Sequence, residues 1–234
     1  MLLNELQELY KDIQLSNHTR YHKKSYVDGQ IDYFIGLNSA TIGGFANKYY
    51  KTIENSELVE LLRHKIHDFR SIALSIMCKQ MEKFKPNKHK SIVEIYLENL
   101  DHVNNWDLVD ISASKILGRY LYDINDFDLL YELSKSENLW YKRVSIIATY
   151  HLIKNNLLQV TLDIVDTLIV EQHDLMHKAC GWMLRELGKK DLNLLTDYLE
   201  TNYSKMPRTM LRYAIEKYPE DIRKRMLKGD FLWR

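Results

Sequence analysis

Apolar residues recur at helical spacing along almost the whole of this chain. Leu2, Leu3, Leu6, Leu9, Tyr10 and Ile13 predict an amphipathic helix over residues 2–13. From Ser16 to Asp32 the periodicity dissolves into polar and glycine-containing sequence, and a loop is expected there. Residues 33–37 form a short apolar plug, Asn38-Ser39 is a candidate helix cap, and the helix that follows is weakened by Gly43-Gly44. After Asn55-Ser56 the alternation becomes regular. Leu58, Leu61 and Leu62 mark a short helix, Phe69 to Phe84 a longer one ended by Pro86, and Ile92 to Leu100 a third. Leu108, Val109, Ile116, Leu117 and Tyr120 predict one continuous helix, and Phe127, Leu130 and Leu133 a short one capped at Asn125 or Asp126. Further helices are expected from about Trp140, over Leu157 to Leu168, over Leu175 to Met183, around Leu195 to Leu199, and beyond the break at Pro207.

The longer helices open near His67, Asp107, Trp140, Asp174 and Pro207, at intervals of 40, 33, 34 and 33 residues. Paired helices at that period predict an all-α protein, an α-solenoid of HEAT-like antiparallel helix pairs with a concave binding face. Only three Pro and eight Gly in 234 residues agree with this. No linker interrupts the alternation, so a single domain is expected over 1–234, with a divergent N-terminal segment (1–37) and helical repeats (38–234).

Composition narrows the function classes. Apolar runs such as Ile146 to Ala148 are too short to span a bilayer, and the acidic N-terminal stretch lacks the bases of an export signal. Cys78 and Cys180 stand alone, as expected of reduced thiols in a cytoplasmic protein. Nine His are scattered along the chain, and the closest helical spacing, His64 with His67, lacks a third ligand, so no metal or cofactor is expected. The net charge of +1 is unevenly spread: from Ser134 onward there are 17 Lys and Arg against 13 Asp and Glu, and before it 16 against 19. Any nucleic-acid footprint must therefore be a local patch.

Candidate chemistry concentrates in three helical stretches with exposed-looking residues: Asn104 to Asp110, Trp140 to Arg143, and Lys178 to Glu186. Trp106 and Asp110 are four residues apart, so on a helix the ring and the carboxylate share a face. Each residue also has a plainer reading, with Trp182 in the core, Asp110 an ordinary first-turn acid and Arg143 on a solvated face. Taken together, the blocks Trp106-Asp-Leu-Val-Asp110, Trp140-Tyr-Lys-Arg-Val-Ser-Ile-Ile147 and Met176-His-Lys-Ala-Cys-Gly-Trp-Met-Leu-Arg-Glu186 resemble the HEAT-like repeat DNA alkylation repair proteins, the AlkD-like alkylpurine DNA glycosylases. The Phe69 to Met77 and Met206 to Lys217 segments resemble an early and the last repeat of that family.

The resemblance implies hydrolysis of the N-glycosidic bond of cationic N3- or N7-alkylpurines in duplex DNA without deep base flipping. By position it implies Asp110 as the catalytic carboxylate, Trp106 and Trp182 as aromatic walls, and Arg143 as a phosphate anchor. Lys142, Lys178, Arg185 and Arg208 are further candidate phosphate contacts. Two departures stand out. The family's DNA-contacting second helix corresponds here to Ser16 to Asp32, where Tyr26 stands near its aromatic contact, and the N-terminal part is net acidic with an added Asp32. Both predict weaker grip on phosphates. Two alternatives thus stay open, a catalytically weak or inactive paralogue that binds duplex or branched DNA, and a HEAT-type protein-interaction scaffold with Trp106 and Trp182 as hot spots. The expected partner is double-stranded DNA, alkylated or branched, engaged by a monomer in the cytoplasm at the nucleoid.

Overall fold

The spacing read from the sequence is realised as helices in the computed structural model, which describes residues 1–15 and 32–231. The segment expected to replace the family's second helix, Tyr26 included, lies outside the described residues apart from Asp32. Two compact units divide the chain, Met1–Tyr120 and Leu121–Arg234. No helix among the described residues is long and apolar enough to cross a membrane.

The first unit is built on helix α4 (His67–Lys83). Helices α1 (Leu2–Leu9), α2 (Ser39–Tyr49) and α3 (Asn55–Leu62) precede it, and α5 (His89–Glu98) and α6 (Trp106–Ser112) follow. Helix α4 (His67–Lys83) buries residues on every side, among them Phe69, Ile72, Leu74, Ile76, Met77 and Met81, because α2, α3, α5 and α6 all pack against it. Asn38 caps α2 as expected, its Oδ1 accepting from Thr41 N at 2.9 Å. Helix α1 is shorter than the periodicity predicts: it ends at Leu9, buries Leu2 and Leu6, and leaves Ile13 42% exposed.

The single helix expected over 108–120 is interrupted. After α6 the backbone widens into a π turn, Ser114–Gly118, with Gly118 N donating to Ala113 O at 2.9 Å, before α7 (Arg119–Ile124) continues. The buried positions Leu108, Ser112 and Ile116 recur every four residues, and Val109, Ala113 and Leu117 do the same. An α-helix turns in about 3.6 residues, so such a row would drift off the core; the wider turn holds it there.

In the second unit the corresponding buried helix is α9 (Leu139–Lys154), flanked by α8 (Asp128–Ser134), α10 (Gln159–Leu168) and α11 (Asp174–Gly188). Val144, Ile146, Ile147, Ala148, Leu152 and Ile153 fill its core faces. Asn138 caps α9, accepting from Trp140 N at 2.8 Å; the cap position of α8 is Phe127, not Asn125 or Asp126, although Asp126 Oδ1 accepts from Asp128 N at 3.1 Å. Helices α12 (Leu192–Asn202), α13 (Arg208–Ala214) and α14 (Glu220–Met226) complete the unit. Helices α11 and α13 cross closely because Gly181 has no side chain: a Cβ there would stand 2.5 Å from Met210 O and 2.6 Å from Tyr213 Cβ.

Candidate nucleic-acid interface

Trp106 and Asp110 lie on the first helical turns of α6, both partly buried and on one side of the helix. The start of α6 is fixed by a buried polar network. Asn105 is completely buried; its Oδ1 accepts from Trp106 N at 2.9 Å and its Nδ2 donates to Asp32 Oδ2 at 3.2 Å. The other oxygen of Asp32 accepts from Arg70 Nη2 at 2.5 Å, and Arg70 Nη1 donates to His64 O at 3.2 Å. Asp32 and Arg70 are both buried, so the acid read from the sequence as weakening phosphate binding has its charge met inside the fold.

A second tie joins α4 to α6, where His67 Nε2 lies 3.0 Å from Asp107 Oδ1. The same carboxylate oxygen accepts from Leu108 N at 2.9 Å. The His67 ring in turn stacks on Phe34, centroids 4.6 Å apart. That ring belongs to the apolar plug, which docks on the first turn of α4: Asp68, buried, accepts from Ile35 N (2.7 Å), Gly36 N (3.1 Å) and Leu37 N (2.7 Å). Gly36 sits at φ +88°, the left-handed region that lets three successive N–H groups converge on one carboxylate.

The second unit carries the remaining candidates. The stretch from Trp140 to Arg143, read as exposed, is not: Trp140 is 7% and Arg143 4% exposed. Arg143 Nη1 donates to Leu175 O at 2.6 Å and thereby ties α9 to the first turn of α11. Lys142 pairs with Glu171 at 2.6 Å, and Lys178 with Asp174 at 2.6 Å. Arg185 pairs with Glu216 and lies 3.5 Å from Glu186, which is itself buried and takes Lys189 at 2.7 Å. Arg208 is exposed and donates to Leu227 O. Trp182 is only partly buried, with its ring 6.1 Å from that of Tyr150. In the first unit the structure brings Trp106 and Asp110 together; in the second it places Trp182, Lys178 and Arg185 along α11, beside Arg143 and Lys142 of α9, with Arg208 at the start of α13.

Sequence reasoning missed Asp32, Arg70, Asn105 and His67 as the supports of α6, and Tyr150 as the partner of Trp182. Only the Asn105–Trp106 cap was visible locally, as an Asn directly before a helix. The cysteines fall outside any site: burial pushes the Cys180 thiol up to about 12. No group of three or more His, Cys, Asp or Glu among the described residues could hold a metal ion.

No curated protein matches the sequence. Two of the solved structures that share its fold come from the same kind of protein by their descriptions. One, described as "Predicted DNA alkylation repair enzyme from Enterococcus faecalis", is 14% identical with a TM-score of 0.63, and the match covers 84% of this chain and 92% of that one. The other, AlkD2 from Streptococcus mutans, is 15% identical with a TM-score of 0.60, over 94% of this chain and 100% of that one. The profile of the family described as DNA alkylation repair enzyme matches residues 2–218, nearly the whole sequence, and the chain belongs to that family.

Proposed function

We propose that this protein is a DNA glycosylase that hydrolyses the N-glycosidic bond of cationic N3- or N7-alkylpurines in duplex DNA without swinging the base into a deep pocket. The observation that carries the reading is the Trp106–Asp110 pair on one side of α6, with the start of that helix anchored through Asn105 to the Asp32–Arg70 ion pair. An alkylated purine that is already positively charged is a good leaving group and needs little proton donation. The difficulty lies at the deoxyribose, which becomes cationic as the bond breaks. A carboxylate held beside that sugar stabilises the developing charge and orients the attacking water, and this is the role assigned to Asp110. The indole of Trp106 offers an electron-rich face to the same cation. In the second unit Trp182 is assigned to the DNA backbone, and Arg143, buried with its Nη1 on Leu175 O, to a phosphate through its remaining N–H groups. Exposed Arg208 is the freest of the remaining phosphate contacts, since Lys142, Lys178 and Arg185 each have a carboxylate partner.

That pairing of cations with acids favours a second reading, a protein of the same family that binds duplex or branched DNA and excises little. Release of 7-methylguanine and 3-methyladenine from alkylated duplex DNA, measured under single-turnover conditions for the wild type and Asp110→Asn, separates the two. Release that falls at least a hundredfold in the variant, with DNA affinity retained, is the expected result. No release above the uncatalysed rate by a protein that binds duplex or branched DNA would overturn the glycosylase reading in favour of the second.

A further inference from the structure

Two exposed cations that the sequence reading passed over lie beside Tyr150, the ring that faces Trp182. Tyr150, on α9, lies across from Trp182 with ring centroids 6.1 Å apart and planes tilted by 40°. One turn further along α9, Lys154 Nζ stands 4.4 Å over the Tyr150 ring. Lys190, two residues beyond the end of α11, donates from Nζ to Lys154 O at 3.0 Å. Both lysines are exposed, and among the described residues neither forms an ion pair. By contrast Lys142, Lys178 and Arg185 are met by Glu171, Asp174 and Glu216.

Partly buried rings flanked by uncompensated ammonium groups match the two halves of a nucleic-acid backbone. A deoxyribose edge packs on an aromatic face, and each flanking phosphate needs a cation whose charge is not already satisfied. The ring beneath Lys154 also limits the freedom of its long side chain, so less order must be imposed when a phosphate arrives. We propose that Tyr150, Lys154 and Lys190 form a duplex-DNA backbone contact that extends Trp182. The Tyr150 ring lies against a sugar and the two lysines against its neighbouring phosphates. This rests on the reading of DNA as the partner.

The test uses the full chain and an undamaged, fluorescently labelled duplex, with affinity measured by anisotropy as salt is raised. Lys154→Gln/Lys190→Gln is expected to weaken binding at low salt at least tenfold and to reduce the slope of log Kd against log salt by about 1.8, roughly 0.9 for each phosphate that is no longer neutralised. Lys142→Gln/Lys178→Gln is expected to change the slope by less than half as much. Tyr150→Phe should bind as the wild type does and Tyr150→Ala about tenfold more weakly, because the ring and not the hydroxyl meets the sugar. A wild type that binds with its slope unchanged in the Lys154/Lys190 variant overturns this proposal alone. Competition by polyglutamate as effective as by DNA overturns it in favour of an acidic protein partner. Absence of any salt-dependent duplex binding by the wild type overturns the reading of DNA as the partner, and this proposal with it.

Discussion

Asp32→Ala probes the support beneath the candidate site directly. Asp32 and Arg70 are an ion pair at 2.5 Å with side chains 5% and 6% exposed, and Asp32 also accepts from the buried amide of Asn105. Removing the carboxylate leaves a guanidinium uncompensated in the interior, which costs about 3–5 kcal/mol, far more than the intact pair contributes over an apolar replacement. For a chain of this size each kcal/mol moves Tm by about 2–4 °C, so Asp32→Ala is expected to lower it by roughly 6–20 °C. The double variant Asp32→Leu/Arg70→Met, with no charge to leave stranded, should recover to within about 2 kcal/mol of the wild type. Urea denaturation of Asp32→Leu, Arg70→Met and their double, followed by tryptophan fluorescence and by circular dichroism, supplies the cycle. A single Asp32→Ala within about 1 kcal/mol of the wild type would refute the reasoning, because it would mean that Arg70 finds water or another acceptor and that α6 does not depend on this pair.

Asn105→Ala removes the α6 cap and is expected to cost about 1–2 kcal/mol; if the start of α6 holds Trp106 and Asp110 in place, single-turnover excision falls more than DNA affinity, and equal losses would sink that role. Gly181→Ala and Gly44→Ala should differ in sign. A Cβ at Gly181 meets backbone of α13 and is expected to destabilise by about 1–3 kcal/mol, whereas one at Gly44 meets open space and should stabilise α2 by about 0.5–1 kcal/mol, both read from urea midpoints. The Cys180 thiol, pushed up to about 12 by burial, keeps its proton in the folded chain while the unfolded thiol loses its own near 9. Between those values the folded state binds more protons, so stability should fall as pH rises, by up to about 1.4 kcal/mol per pH unit from this group. Midpoints in Cys180→Ala with a shallower alkaline decline would bear that out, and an unchanged decline would refute it.

The helices were legible in the sequence because burial on one side sets the spacing of apolar residues, and where that condition weakens the reading failed. Helix α1 stops after two turns, with only Leu2 and Leu6 fully buried; Leu9 and Ile13 continue the period but stand 58% and 42% exposed. The π turn at 114–118 was invisible because rows at four-residue spacing look helical in any short window, and only the packing of α6 on α4 shows that the row must be held in line. Helix α14 buries Met226 alone, too little to produce a period.

The candidate site divides along the same physical line. Trp106 and Asp110 could be paired from sequence because an i,i+4 relation is local; so could Lys178 and Asp174. The groups that decide what those residues can do come from far along the chain. Asp32 reaches Arg70 across 38 positions and Asn105 across 73, and the acids that neutralise Lys142 and Arg185 stand 29 and 31 positions away. Counting charges therefore misleads in both directions. It marks Asp32 as a repulsive acid although Arg70 has already taken its charge, and it credits the positive C-terminal part with cations that Glu171, Asp174 and Glu216 have already taken. A polyanion responds to the cations left over after the fold has paired its own. By that criterion Lys154 and Lys190, together with exposed Arg208, carry more of the electrostatic footprint than Lys142, Lys178 or Arg185, which is why the salt slope of the Lys154/Lys190 double variant is the more discriminating measurement of how this surface meets DNA.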